Sequence, residues 1–232
     1  MSYYRSLIQS SPAYTFPWGI CTHFWKFDNT FTDSVGSFNG TGIGGVGYAT
    51  GRINDCVSFD GLNDSVDLGF STFTNEVDQD FSIVFQYYYI AGLLSHSPWS
   101  YWLNTGKGCI FYYDIVGGYP FQFFINGPSG AISIPQTTSL LNVNSWNTVG
   151  VTYKKGISVE LYINGVVSNT VLTACTPTIS GSNYVNFGCL SDGVKFAHDD
   201  GKVDEFGFYQ GLLTADDHLY LHNGGAGKTL NG

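Results

Sequence analysis

The stretch Thr148-Val149-Gly150-Val151-Thr152-Tyr153 sets Val149, Val151 and Tyr153 against Thr148, Gly150 and Thr152, and Lys154-Lys155-Gly156 then turns the chain. The next run repeats the pattern, with Val159, Leu161 and Ile163 on one side and Glu160 and Tyr162 on the other. A period of two is the signature of a strand with one buried face. Asn164-Gly165 follows, the residue pair best suited to the two positive-φ positions of a type I′ turn, before Val166-Val167. Two linked β-hairpins are expected here.

Working outward, Phe81 to Tyr89 and Cys109 to Tyr113 are short runs dense in aromatic and β-branched residues, and both are expected to be strands. Thr214-Ala215-Asp216-Asp217 offers an N-cap hydroxyl and two first-turn carboxylates, Leu219-Tyr220-Leu221 follows, and Asn223-Gly224 stops the helix. The whole composition agrees with many short strands. Of 232 residues, 17% are aromatic and only 12% charged, against roughly 25% charged in ordinary soluble proteins, and 30 glycines and 7 prolines punctuate the chain. Disorder, coiled coil and helical bundles are excluded on these grounds.

Nine basic against eighteen acidic residues give a formal charge of -9, a field that repels nucleic acid and anionic lipid. No run approaches the roughly 18 to 20 apolar residues of a membrane-spanning helix. The start, Met1-Ser2-Tyr3-Tyr4-Arg5, reads without a secretory signal. Cys21, Cys56, Cys109, Cys175 and Cys189 are odd in number and contain no C-x-x-C pair, so buried free thiols in a chain folded in cytosol are expected. Three segments are anticipated: residues 1–20 as an aromatic arm (Tyr3, Tyr4, Tyr14, Phe16, Trp18) that anchors the chain or meets a neighbour, 21–226 as one sandwich, and 227–232 as a flexible tail.

The order of motifs resembles the laminin G-like branch of the concanavalin A-like lectin and glucanase superfamily. The resemblance is carried by Trp25-Lys26-Phe27-Asp28-Asn29 with Asp33, by Val57-Ser58-Phe59-Asp60-Gly61 leading through Asp64 to Val66-Asp67-Leu68, and by Phe81-Ser82-Ile83-Val84-Phe85. It continues in Trp146-Asn147-Thr148-Val149 with Leu161-Tyr162-Ile163-Asn164-Gly165, and in Gly201-Lys202-Val203-Asp204-Glu205-Phe206 leading to the helix. It implies an all-β jelly-roll sandwich of two antiparallel sheets with one short C-terminal helix, in which relatives bind glycans or proteins. It also places acidic calcium ligands at Asp28 and Asp204, with Asn29 and Asp33 as helpers. The alternative is that these carboxylates only bond their own turns. Among the motif aromatics, Trp146, Phe59, Phe81, Phe85 and Phe206 are expected to fill the core.

Catalysis finds little support. Glucanase relatives take paired glutamates two apart on one strand, whereas this chain has only Glu76, Glu160 and Glu205. His218 and His222, one helical turn apart, lack a metalloprotease glutamate and read as a solvated face. Asp192, Asp199 and Asp200 read as a solvated acidic loop. The most unusual stretch is His96-Ser97-Pro98-Trp99-Ser100-Tyr101-Trp102, taken as a Pro-bearing loop whose Trp99, Tyr101 and Trp102 stack on a sugar, unless they serve the core or a subunit interface. With its arm, free cysteines and single domain, the chain looks like the laminin G-like proteins of bacteriophage virions. The expectation is a non-catalytic lectin-like virion surface component, made in host cytoplasm, with surface glycans, other virion proteins and its own copies as partners. The alternatives are a carbohydrate-binding module at a bacterial cell surface and, last, a glycoside hydrolase.

Overall fold

The structure, a computed structural model, describes residues 14–70, 73, 75–90, 95–103, 107–114, 119–178, 183–191 and 195–230. Its first half runs through β1 (Cys21–Trp25), β2 (Thr41–Ile43), β3 (Gly47–Thr50), β4 (Asp55–Ser58), β5 (Ser65–Phe70), β6 (Phe81–Tyr89), β7 (Ser95–Leu103) and β8 (Lys107–Asp114). The second half adds β9 (Tyr119–Gly127), β10 (Gly130–Pro135), β11 (Ser145–Lys154), β12 (Ser158–Ile163), β13 (Val166–Leu172) and β14 (Tyr184–Phe187). A short pair, β15 (Leu190–Ser191) and β16 (Lys195–Phe196), then precedes β17 (Lys202–Tyr209) and the helix α1 (Ala215–His222).

Two antiparallel sheets stack face to face. One has the order β13-β12-β11-β6-β17-β4-β3 with β1 also pairing β17, and the other the order β10-β9-β8-β7-β14-β5-β2. The alternation read from the sequence decides what lies between them: Val149, Val151, Tyr153, Val159, Leu161 and Ile163 are all fully buried. Phe81, Phe85 and Phe206 meet them, and Phe59 is nearly as enclosed. Asn164 and Gly165 take φ of 54° and 77°, the type I′ turn expected of that pair.

The eight-stranded sheet is covered on its outer face as well. α1 lies there, its N-terminus held by a reciprocal pair of bonds between Thr214 and Asp217 and its end set by Asn223 in the left-handed region. This corrects the expected solvated face for His218 and His222: Nε2 of His218 lies 2.9 Å from Thr152 Oγ1, and Nδ1 of His222 lies 3.0 Å from Thr148 Oγ1. Residues 14–20 close the other flank. Phe16 is buried with Phe24, Tyr209, Leu213 and Leu221, so its surface serves this domain, and the boundary drawn at residue 20 does not separate an arm from the sandwich. Tyr3 and Tyr4 lie outside the described residues.

Residues 223–230 fold back too. Gly227 is buried, Asn223 Nδ2 donates to its carbonyl at 2.9 Å, and Lys228 Nζ sits 4.8 Å above the Tyr220 ring, so residues 227 and 228 of the expected tail pack against the domain. All five cysteines are buried free thiols. Among the described residues, no helix is long and apolar enough to cross a membrane.

Candidate functional site

With one sheet covered by α1, the outer face of the seven-stranded sheet carries an apolar cleft. Strand alternation builds it: Trp102 on β7, Ile110 and Tyr112 on β8, Gln122 and Phe124 on β9 and Ser133 on β10 point to the same side, and Leu190 closes one end. The cavity is about 310 Å³, at the lower end of the roughly 300–1,000 Å³ of ligand pockets. Trp102 and Phe124 form its aromatic wall, their ring centres 5.9 Å apart at 48°. Register keeps that wall open, because the partner of Trp102 across β8 is Gly108, which has no side chain. Polar groups are few: the Tyr112 hydroxyl, the Gln122 amide and the Ser133 hydroxyl, which donates to Gln122 Oε1. An apolar platform with a few fixed donors and acceptors suits the C–H face and hydroxyl edge of a sugar.

Of the three aromatics expected to stack on a sugar, the structure separates two from the third. Ser95–Leu103 is a strand rather than a loop, and Pro98 sits at the bulge between His96 and Trp99 where its missing N–H does no harm. Successive side chains therefore face opposite ways. Trp99 and Tyr101 are fully buried between the sheets, so neither can stack on a ligand; Trp102 lies on the opposite side and lines the cleft, itself 7% exposed and packed with Ile110 and Leu190. The rest of the lining, Tyr112, Gln122, Phe124 and Ser133, was missed. Its signal was the alternation in Cys109 to Tyr113 and Phe121 to Ile125, usable once β7, β8 and β9 were known to be neighbours. Trp146 is another correction: it is half-buried on the outer side of β11, edge-on to Tyr88 at 5.5 Å, and plugs no core.

Asp28 and Asp204 both grip the turn at residues 52–55. Asp204 Oδ2 accepts from the amides of Arg52 at 2.9 Å and Ile53 at 3.0 Å, while Asp28 accepts from the Asp55 amide at 3.1 Å and Asn54 Nδ2 at 3.2 Å. Beside them stands Glu205, which the sequence reading left out of this group. Burial pushes Asp204 up to about 7 despite its amide bonds, with Asp28 adding to the rise. Glu205 is pushed up to about 8 by burial, which the nearby Thr229 hydroxyl only partly offsets. Among the described residues, Asp204 Oδ1 and both Glu205 oxygens have no well-formed hydrogen bond. Phe27, Asn29, Asn54 and Glu205 all take φ between 49° and 60°, a concentration of strained backbone at one spot. Leftover buried carboxylate oxygens are a donor set that fits a hard cation.

The expected helper Asp33 is occupied elsewhere. Its Oδ2 lies 2.7 Å from His23 Nδ1, and its Oδ1 takes the amides of Phe24, Val35 and Gly36. Burial alone would lower His23, but its bonds to Asp33 and Glu76 outweigh that and raise it. Asp192 lies outside the described residues.

Solved structures with this architecture include Domain 4 of AbnA, a GH43 extracellular arabinanase from Geobacillus stearothermophilus, in complex with arabinotriose. It is 18% identical at a TM-score of 0.68, covering 86% of this chain and 97% of that one. The binding domain of Paraclostridial Mosquitocidal Protein 1 follows at 15% identity and 0.70, covering 89% of this chain and 52% of that one. The binding domain of Botulinum Neurotoxin DC in complex with SialylT gives 17% and 0.65, covering 88% and 51%. The chain thus spans about half the length of these toxin domains, and the likeness is one of fold. No curated protein sequence matches the chain. The family model described as the Concanavalin A-like lectin/glucanases superfamily matches residues 60–217, most of the sandwich, and the chain belongs to that laminin G-like family.

Proposed function

We propose that the chain is a non-catalytic glycan-binding module whose ligand is a neutral oligosaccharide docked in the cleft against the wall formed by Trp102 and Phe124. The cleft itself carries this reading: its described lining residues are aromatic, aliphatic or uncharged polar, and none is basic. A chain of formal charge -9 with no cation at the site is ill suited to sialylated or uronic sugars. The bound arabinotriose of one structural neighbour supports the ligand class.

Hydrolysis would need two carboxyls on either side of the scissile bond, and the lining supplies none. Glu76 faces His23, Glu160 accepts from Tyr162 at 2.6 Å, and Glu205 is buried. Calcium is proposed at Asp28 and Asp204 with Glu205, where it would balance buried negative charge and brace the 52–55 turn. The setting proposed is the surface of a virion, as a head-decoration, fibre or tail component shown in many copies, since weak single sites gain from multivalency. Five free thiols agree with folding in a reducing cytoplasm.

A glycan array probed with multivalent protein, with calcium and again with chelator, tests the reading. Saturable signals on neutral glycans are expected. Signals confined to acidic glycans, or none, would overturn it. Equal melting temperatures in calcium and in chelator would remove the calcium proposal.

A further inference from the structure

Away from the cleft and from Asp204, three metal-ligating side chains converge between the sheets: His96 from the start of β7, and Asp199 and Asp200 from the approach to β17. One ligand atom from each lies within 4.8 Å of the others. The side chains of His96 and Asp199 are fully buried, and that of Asp200 is 18% exposed, leaving a way in from solvent.

The spacing fits a coordination shell. His96 Nδ1 stands 3.1 Å from Asp200 Oδ1 and 3.7 Å from Asp199 Oδ1. Donors about 2.0–2.2 Å from a divalent ion stand about 2.8–3.6 Å apart at angles of 90–110°, so the shorter separation is that of a polyhedron edge and the longer lies just beyond one. Without a metal, the shorter one is an ion-pair contact between His96 and Asp200, which ligation would replace.

Charge and support point the same way. Burial raises Asp200, and Asp199 adds to the rise against His96. The field reaches further: buried Tyr87 and Tyr89 are both raised, chiefly by burial and then by their acidic neighbours and hydrogen bonds, with Asp199 and Asp200 contributing to each. Asp199 is oriented from behind by the Tyr87 hydroxyl at 2.9 and 3.1 Å and by the Gly201 amide at 2.6 Å, the kind of support that ligating carboxylates receive. One imidazole with two carboxylates suits zinc or manganese better than calcium, which prefers an all-oxygen shell.

We propose that His96, Asp199 and Asp200 form a divalent transition-metal site of the zinc or manganese class, a clasp that ties β7 of one sheet to the approach to β17 of the other. Sequence reading missed it because His96 lies far along the chain from the acidic loop, and only the pairing of the sheets brings them together.

The test is calorimetric titration of chelator-treated full-length protein with zinc chloride and, separately, manganese chloride, alongside melting curves and the visible spectrum with cobalt chloride. One equivalent of zinc or manganese, a melting rise of several degrees and cobalt d–d bands without a thiolate charge-transfer band are expected. Asp200→Asn, nearly isosteric and partly exposed, keeps the metal-free melting temperature and weakens binding at least tenfold. His96→Gln does the same to binding, and Asp216→Asn, at an exposed carboxylate of the helix, leaves it unchanged. No saturable binding, wild-type affinity in Asp200→Asn, loss of binding in Asp216→Asn, or a thiolate band would each overturn the proposal.

Discussion

The imidazole of His218 lies flat on the phenol ring of Tyr162, with centres 3.7 Å apart and planes 11° from parallel. This contact holds α1 against the eight-stranded sheet. Burial pushes His218 down to about 3, with Asp217 only slightly opposing, so it folds as the neutral ring. The unfolded chain takes up a proton near pH 6.5 that the folded chain refuses, and stability therefore falls as pH drops from about 6.5 toward 3, by up to about 1.4 kcal/mol per pH unit. Denaturant midpoints at pH 7.5 and 5 should show a smaller drop for His218→Gln than for the wild type. Equal drops would mean that the ring is not held neutral.

Gly150 is where that ring needs room. A Cβ there would stand 2.5 Å from His218 Nδ1, and the ring, stacked on one side and bonded to Thr152 on the other, has nowhere to go. Gly150→Ala should cost about 1–3 kcal/mol and speed amide exchange in α1. Wild-type stability in the variant would contradict the packing.

The adjacent aromatics of β7 should behave as opposites. Trp99→Ala opens a void in the main core and should cost about 3–5 kcal/mol, whereas Trp102→Ala, which empties a three-residue satellite cluster, should abolish glycan binding and cost less than Trp99→Ala. Chemical denaturation of both variants, with binding measured on the folded protein, makes the comparison.

The arm also divides. Deleting residues 1–20 removes Phe16 and Trp18 from a packed cluster and should lower the melting temperature sharply, and Phe16→Ala alone should cost about 3 kcal/mol. Phe16→Ala with wild-type stability would return this segment to the role of a free anchor.

How far the sequence was legible depended on range. The hairpin turn at Asn164-Gly165, the buried stripe Val149, Val151, Tyr153 and the Thr214 cap are local features, and each appears as read. The candidate cleft was legible at Trp102 alone. Trp99 and Tyr101 were misplaced because β7 contains a proline and looked like a loop; once it is a strand, neighbours such as Tyr101 and Trp102 must part. Helix α1 misled in another way, since His218 and Tyr162 meet only through tertiary packing. Gln122, Ser133 and Leu190 carry no signal of their own, and strand order alone makes them one surface.

The indole N–H signals of the five tryptophans, Trp18, Trp25, Trp99, Trp102 and Trp146, report most directly on the cleft beside Trp102 as the ligand site. Proton–nitrogen spectra are recorded while neutral oligosaccharides, beginning with arabinotriose, are titrated in. A saturable shift of the Trp102 indole is expected, with Trp25 and Trp99 unmoved. That site is contradicted if no neutral oligosaccharide moves any indole, or if the shifts fall on Trp18 or Trp146 while Trp102 stays in place.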